Sequence, residues 1–183
     1  LKSVTGNLGF KADVPIIQEQ VIKIDGNLNG SYTNQGGTAE VTGDVAARMT
    51  QDIELKTGEH TFGILTGTNV SGQMVNARMT AATFGLNAKY EYGGAPFTAP
   101  LKASVTGQAN YAEGTGISGS VNAALSSDAV LTVGSSTVTL KTGSTGTAAV
   151  ESNEVKSVTG DLGFKCDVPI IQQQTLKLDG RLN

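Results

Sequence analysis

Residues Lys2 to Asn29 of this chain, KSVTGNLGFKADVPIIQEQVIKIDGNLN, return at Lys156 to Asn183 as KSVTGDLGFKCDVPIIQQQTLKLDGRLN, identical at 21 of 28 positions with a constant offset of 154. A long segment recurring at a fixed spacing marks a repeat architecture, in which each unit is completed by an identical neighbour. The fold must therefore let the second copy stand where the opening of a following unit would stand. Residues 1–154 read as one full tandem repeat, and 155–183 as the start of the next, a second copy of 2–29.

Inside that segment the side chains alternate with period two. Val4, Gly6, Leu8, Phe10, Ala12 and Val14 share one face, and Thr5, Asn7, Gly9, Lys11 and Asp13 the other, which is the signature of a strand with one dry and one wet side. Pro15 ends the run, because proline cannot donate to a ladder. A second run carries Ile22, Ile24, Gly26, Leu28, Gly30 and Tyr32 against Lys23, Asp25, Asn27, Asn29 and Ser31.

One short word recurs throughout: an apolar residue, a small polar residue or Asp, then Gly. It stands at Val4-Thr5-Gly6, Ile24-Asp25-Gly26, Val41-Thr42-Gly43, Val70-Ser71-Gly72, Val105-Thr106-Gly107, Ile117-Ser118-Gly119, Val158-Thr159-Gly160 and Leu178-Asp179-Gly180. Each glycine falls on the apolar face, where it marks strong sheet curvature or room for a large side chain opposite. Residues 41–58 also align without gaps to 117–134 at an offset of 76, close to half the long period. VAARMT at 45–50 and VNARMT at 75–80 suggest a third use of one strand type, and a slip in alternation after Met74 predicts a β-bulge there. Residues 51–58 are the weakest for strand, while 93–96 and 142–147 read as loops.

No window carries a helical stripe. The expected fold is all-β: an antiparallel β-sandwich or strongly curved barrel of roughly 10 to 14 glycine-bearing strands, with two similar half-sheets. A β-solenoid is the alternative, against which stands the irregular spacing of the glycine words.

With no Trp and aromatics at 5%, the apolar surface must come from Val, Ile, Leu, Met and Ala. A net charge of −3, without a Lys/Arg run, argues against nucleic acid as partner. No run of 18 apolar residues predicts a transmembrane helix, and missing aromatic girdles argue against insertion as a barrel.

Chemistry is sparse. His60 is the sole histidine and reads as a polar turn residue, no Gly-x-Ser-x-Gly word surrounds a serine, and no catalytic constellation is expected. No cofactor is expected. Calcium between repeats, held by Asp25, Asp44, Asp161 and Asp179, is the alternative to solvated strand charges. The single cysteine, Cys166, replaces Ala12 of the first copy and reads as an inert thiol on the dry face. Asn29-Gly30-Ser31 and Asn69-Val70-Ser71 match the glycosylation triplet.

Four of nine aromatics, Phe84, Tyr90, Tyr92 and Phe97, crowd before and into a Gly- and Pro-bearing loop. With Glu91 they form the candidate binding patch for a glycan or surface, against cross-strand packing as the plain reading. In the second copy Val158, Leu162, Phe164, Val168, Ile170 and Ile171 are the candidate assembly strand.

These features point to a non-enzymatic structural repeat of an extracellular or cell-surface adhesin or fibre. Its partners would be identical repeats, joined by strand pairing of the duplicated segments. The alternatives are a glycan-binding β-barrel module and a self-assembling filament subunit.

Overall fold

The computed structural model describes residues 2–16, 20–170 and 174–183. They contain fifteen strands and no helix, one strand beyond the expected range. All strand pairings are antiparallel and belong to one large sheet that is not closed, so neither a sealed barrel nor a solenoid forms.

The chain runs up and down. β1 (Ser3–Pro15) and β2 (Val21–Gln35) form a hairpin, and β3 (Thr38–Met49) lies against β2. After a break the chain continues into β4 (Ile53–Thr57), turns into β5 (His60–Ile64), breaks again and becomes β6 (Asn69–Val75). β5 and β6 lie end to end along β7 (Arg78–Tyr92), β6 on its first half and β5 on its second. The plan repeats with β8 (Phe97–Ala99), β9 (Leu101–Ala112), β10 (Gly116–Leu125), β11 (Ala129–Val133), β12 (Ser136–Leu140) and β13 (Thr145–Glu151). β13 and β12 then lie end to end along β14 (Glu154–Pro169), which pairs on its other side with β15 (Thr175–Leu182).

The two halves agree in detail at the offset of 76. A register shift between Gln73 and Met74 recurs between Ala149 and Val150, so the expected bulge is present twice. At the first strand break Asp52 accepts from the Thr66 backbone N–H at 2.6 Å and from its hydroxyl at 2.8 Å; at the second, Asp128 accepts from Thr142 at 2.7 and 2.9 Å. Each carboxylate thus ties the two broken strands together where the ladder is interrupted. The echo between 45–50 and 75–80 is different in kind. VAARM completes β3, whereas Asn76 and Ala77 form a tight hairpin turn at φ of 50° and 64°. The weak region 51–58 is mostly strand β4, and the predicted loop at 142–147 gives way to β13 from Thr145.

Direct cross-strand partners point to the same side of a sheet, so the registers trace one face across every strand. One such row is Phe10, Gly26, Ala47, Val70, Phe84, Ala109, Gly119 and Val150. Another is Gly6, Gly30, Gly43 and Met74. The glycine words lie on this face, as the alternation requires. At Gly26 a Cβ would fall 2.4 Å from Phe10 Cζ, and at Gly180 one would fall 2.5 Å from Phe164 Cζ. Each ring covers the glycine opposite it, so a large side chain fills the gap the small one leaves. The buried apolar residues Met49, Ile53, Ala82, Ala103 and Ala129 lie on the same side, and Ile53 and Ala129 occupy equivalent places after the two breaks. The opposite face carries Lys11, Asp25 and Arg48 in one row, followed by Asn69.

Candidate functional site

The duplicated segments fold into the same hairpin. Leu8 faces Leu28 and Leu162 faces Leu182; Phe10 faces Gly26 and Phe164 faces Gly180. Ile16 N–H donates to Gln20 C=O at 2.9 Å, and Ile170 N–H to Gln174 C=O at 2.8 Å, so the described ends of the two hairpins carry the same backbone bond. Three conservative differences sit on the apolar face: Cys166 faces Leu178 where Ala12 faces Ile24, and Leu176 stands where the first copy has Ile22.

Their surroundings differ. β1 pairs only with β2 and is the edge of the sheet, while β14 also carries β13 along 154–161 and β12 along 164–167. The corresponding stretches of β1, including Thr5, Gly6 and Asn7, hold no such partner among the described residues. An edge of this kind presents backbone donors and acceptors to any strand of matching length.

Of the candidate assembly residues, Leu162, Phe164 and Val168 pair into β15 and are half-buried. Val158 faces Ala148 yet is 74% exposed, and Ile170 is exposed beyond the end of β14. Ile171 lies outside the described residues. Backbone pairing, with packing confined to the second half of β14, therefore joins the copy to the preceding strands; Val158 is not part of a core.

The aromatic candidates divide. Tyr90 and Tyr92 gather with His60 and Phe62 of β5, and Phe97 joins from β8. Ring centroids are 4.7 Å apart for His60 and Tyr92, 5.0 Å for Phe62 and Tyr90, and 5.8 Å for Tyr92 and Phe97. Phe84 lies further along β7 outside the cluster, and alternation turns Glu91 to the polar face, where it pairs with Lys102 at 3.3 Å. Three polar atoms of the cluster have local partners: His60 Nδ1 and the Tyr90 hydroxyl are 2.8 Å apart, and the Tyr92 hydroxyl donates to Ala95 C=O at 2.9 Å. His60 and Phe62 were not legible as members. Their only signal is register, since 60 and 62 oppose 92 and 90 across a strand pair distant in sequence.

Among the described residues no group of three His, Cys, Asp or Glu side chains is placed to hold a metal ion. Arg181 engages Asp161 and Lys141 engages Asp179, and each cation holds its carboxyl below the usual range through a direct hydrogen bond. Asp25 stands in register between Lys11 and Arg48. Cys166 is half-buried and free.

Comparison with protein-family models, curated protein sequences and solved structures returned no match.

Proposed function

We propose that the 154-residue unit is a structural repeat whose work is to extend a single β-sheet by docking each unit on the next, as in a surface adhesin or extracellular fibre. The observation carrying this reading is that the two copies of one hairpin share one register while occupying complementary situations. The second copy is seated on β12 and β13; the first offers the same edge without them. A preceding unit's β12 and β13 would fit the edge of β1 as β12 and β13 fit β14, and β15 offers its outer edge to a following β3. Backbone hydrogen bonds supply the affinity in such β-augmentation, and alternating side chains set the register. The five-ring cluster supports a glycan site less well, because both tyrosine hydroxyls are engaged, one with His60 Nδ1 and one with the Ala95 carbonyl of the loop.

The sheet path places eight strands, from β1 to β13, ahead of β14. At a strand spacing of about 4.8 Å each unit adds about 38 Å of sheet. A two-unit protein, residues 1–154 fused ahead of the present chain, is expected to unfold in one cooperative transition at a higher temperature than the single unit. Its maximum dimension in small-angle scattering should grow by about 40 Å. Two independent transitions at the single-unit temperature, with scattering of flexibly linked beads, would overturn the reading.

A further inference from the structure

We propose that the apolar face of the sheet is an interface for the same face of a second copy of this chain, giving a two-layered sandwich with polar faces outward. The proposal stands independently of the edge-to-edge reading, because it uses side chains of the face and leaves the backbone edges untouched.

Between the strand breaks the face is uncharged. Along its paired rows, from Val4 and Leu8 on β1 through Leu28, Val45, Phe84, Leu86, Val105 and Val121 to Leu162 and Leu178, no Asp, Glu, Lys or Arg appears. Away from the buried Met49, Ile53, Ala82, Ala103 and Ala129 it is also uncovered. Leu8 on the edge strand is 62% exposed, but so are Phe84 at 49% on β7 and Val121 at 45% on β10, in the middle of the sheet. A compact monomer of 18.7 kDa exposes about 8,300 Å² by mass scaling. This chain exposes 11804 Å². The excess is about 3,500 Å² per chain, against the roughly 800 Å² per partner of a standard-size interface and the roughly 1,000–2,500 Å² per partner of obligate homodimers, so covering part of it suffices.

Period decides the occupant. The face repeats its hairpin at 154 and its strand breaks and bulges at 76, so a partner must carry the same spacing to meet every unit equally. A second copy does so by construction, and an isologous pairing satisfies both chains at once. Sheets packed this way interdigitate at about 10 Å, as in natural sandwiches. The recess of about 540 Å³ floored by Gly6, Gly30 and Gly43 and walled by Leu8, Leu28 and Met74 gives large side chains of the second sheet a place to enter. A lipid bilayer fits less well. The strand breaks at 50–52 and 65–68 lie part-way along the sheet and bear the exposed Asp52 carboxylate, and lipid-facing irregular backbone does not occur within hydrocarbon.

The test is sedimentation equilibrium of the full chain beside the double variant Phe84→Glu/Val121→Glu, with Thr83→Glu/Asn122→Glu on the polar face as control. All four positions are exposed in the single sheet, so the sheet itself tolerates the charges. The expected result is a dimer for the wild type and the control, and at least about a hundredfold weaker association for the apolar-face variant. Cys166, which lies on the same face, gives a readout that needs no substitution. Its maleimide labelling in the wild type should slow about tenfold or more as protein concentration rises through the dimer range. A wild type that stays monomeric with labelling independent of concentration overturns the proposal. So does equal loss of association in the polar-face control, or flotation of the wild type with phosphatidylcholine vesicles in place of dimerisation.

Discussion

At the scale of single residues, the glycines of this sheet are not equivalent, and the difference is measurable. Gly6 and Gly26 stand in the same word on the same face. A Cβ at Gly6 meets nothing within 4 Å, whereas one at Gly26 would collide with the Phe10 ring at 2.4 Å and the Ala46 carbonyl oxygen at 2.6 Å. Gly26→Val is expected to destabilise by about 1–3 kcal/mol through overpacking, because backbone cannot give way as a side chain can. Gly6→Val should be neutral or stabilising by up to about 1 kcal/mol, since valine suits a strand better. Urea unfolding of the two variants checks the contrast, and equal effects would refute it. Ala77 offers a second case. It sits at φ 64° in the β6–β7 turn, where a side chain is strained, and Ala77→Gly is expected to raise stability by about 1 kcal/mol in the same assay. The glycine words were legible in sequence, but which glycine is roofed by a ring was not. That depends on Phe10 meeting Gly26 across a hairpin, a pairing set by register.

At the scale of elements, the paired strand breaks are held by carboxylates. The Thr66 backbone N–H, and then its hydroxyl, hold the Asp52 carboxyl below the usual carboxylate range, and Thr142 does the same for Asp128. A carboxyl whose folded pKa is depressed contributes stability that is fully present above its unfolded pKa. That contribution is lost as pH falls through the folded value. Stability is therefore expected to hold near neutrality and to fall in acid, helped by Glu54, Asp161 and Asp179, whose carboxyls are lowered by Lys89, Arg181 and Lys141. Asp52→Asn/Asp128→Asn should lower the thermal midpoint at neutral pH and flatten its acid limb; midpoints measured from about pH 7 to about pH 3 test this. An unchanged acid limb in the double variant would show that the breaks do not depend on the carboxylates. Alternation over 4–14 and 22–32 placed β1 to within one residue at each end and β2 to within three, and the alternation slip at Met74 placed a bulge. The strand status of 53–57 was harder to see. A five-residue strand flanked by Asp, Thr and Gly has too little pattern of its own and is held by pairing with β5.

At the scale of the whole molecule, the second hairpin does for β12 and β13 what nothing does for the outer edge of β1. Removal of residues 155–183 is expected to strip protection from the amides of 137–140 and 145–151 that donate to β14, to spare those that donate to β11 and β10, and to leave protection in the β2–β3 pairing as it was, read by hydrogen exchange. Uniform loss across the sheet would mean that the units are not joined locally. The sequence by itself determined the 154-residue offset between the two matching hairpins, the all-β class and which side of the long strands is dry, because these follow from identity at a fixed offset and from the strict period of two along a pleated chain. Only the tertiary structure decided that Phe84 stands apart from Tyr90, Tyr92 and Phe97, that His60 and Phe62 join those rings, and that much of the dry side remains exposed. The reason is physical. Alternation says which way a side chain points, but its neighbours are set by register between strands far apart in sequence. Whether a dry face is covered depends on a second layer, and here Ile53 and Ala129 are buried while Leu8, Phe84 and Val121 on the same face stand exposed.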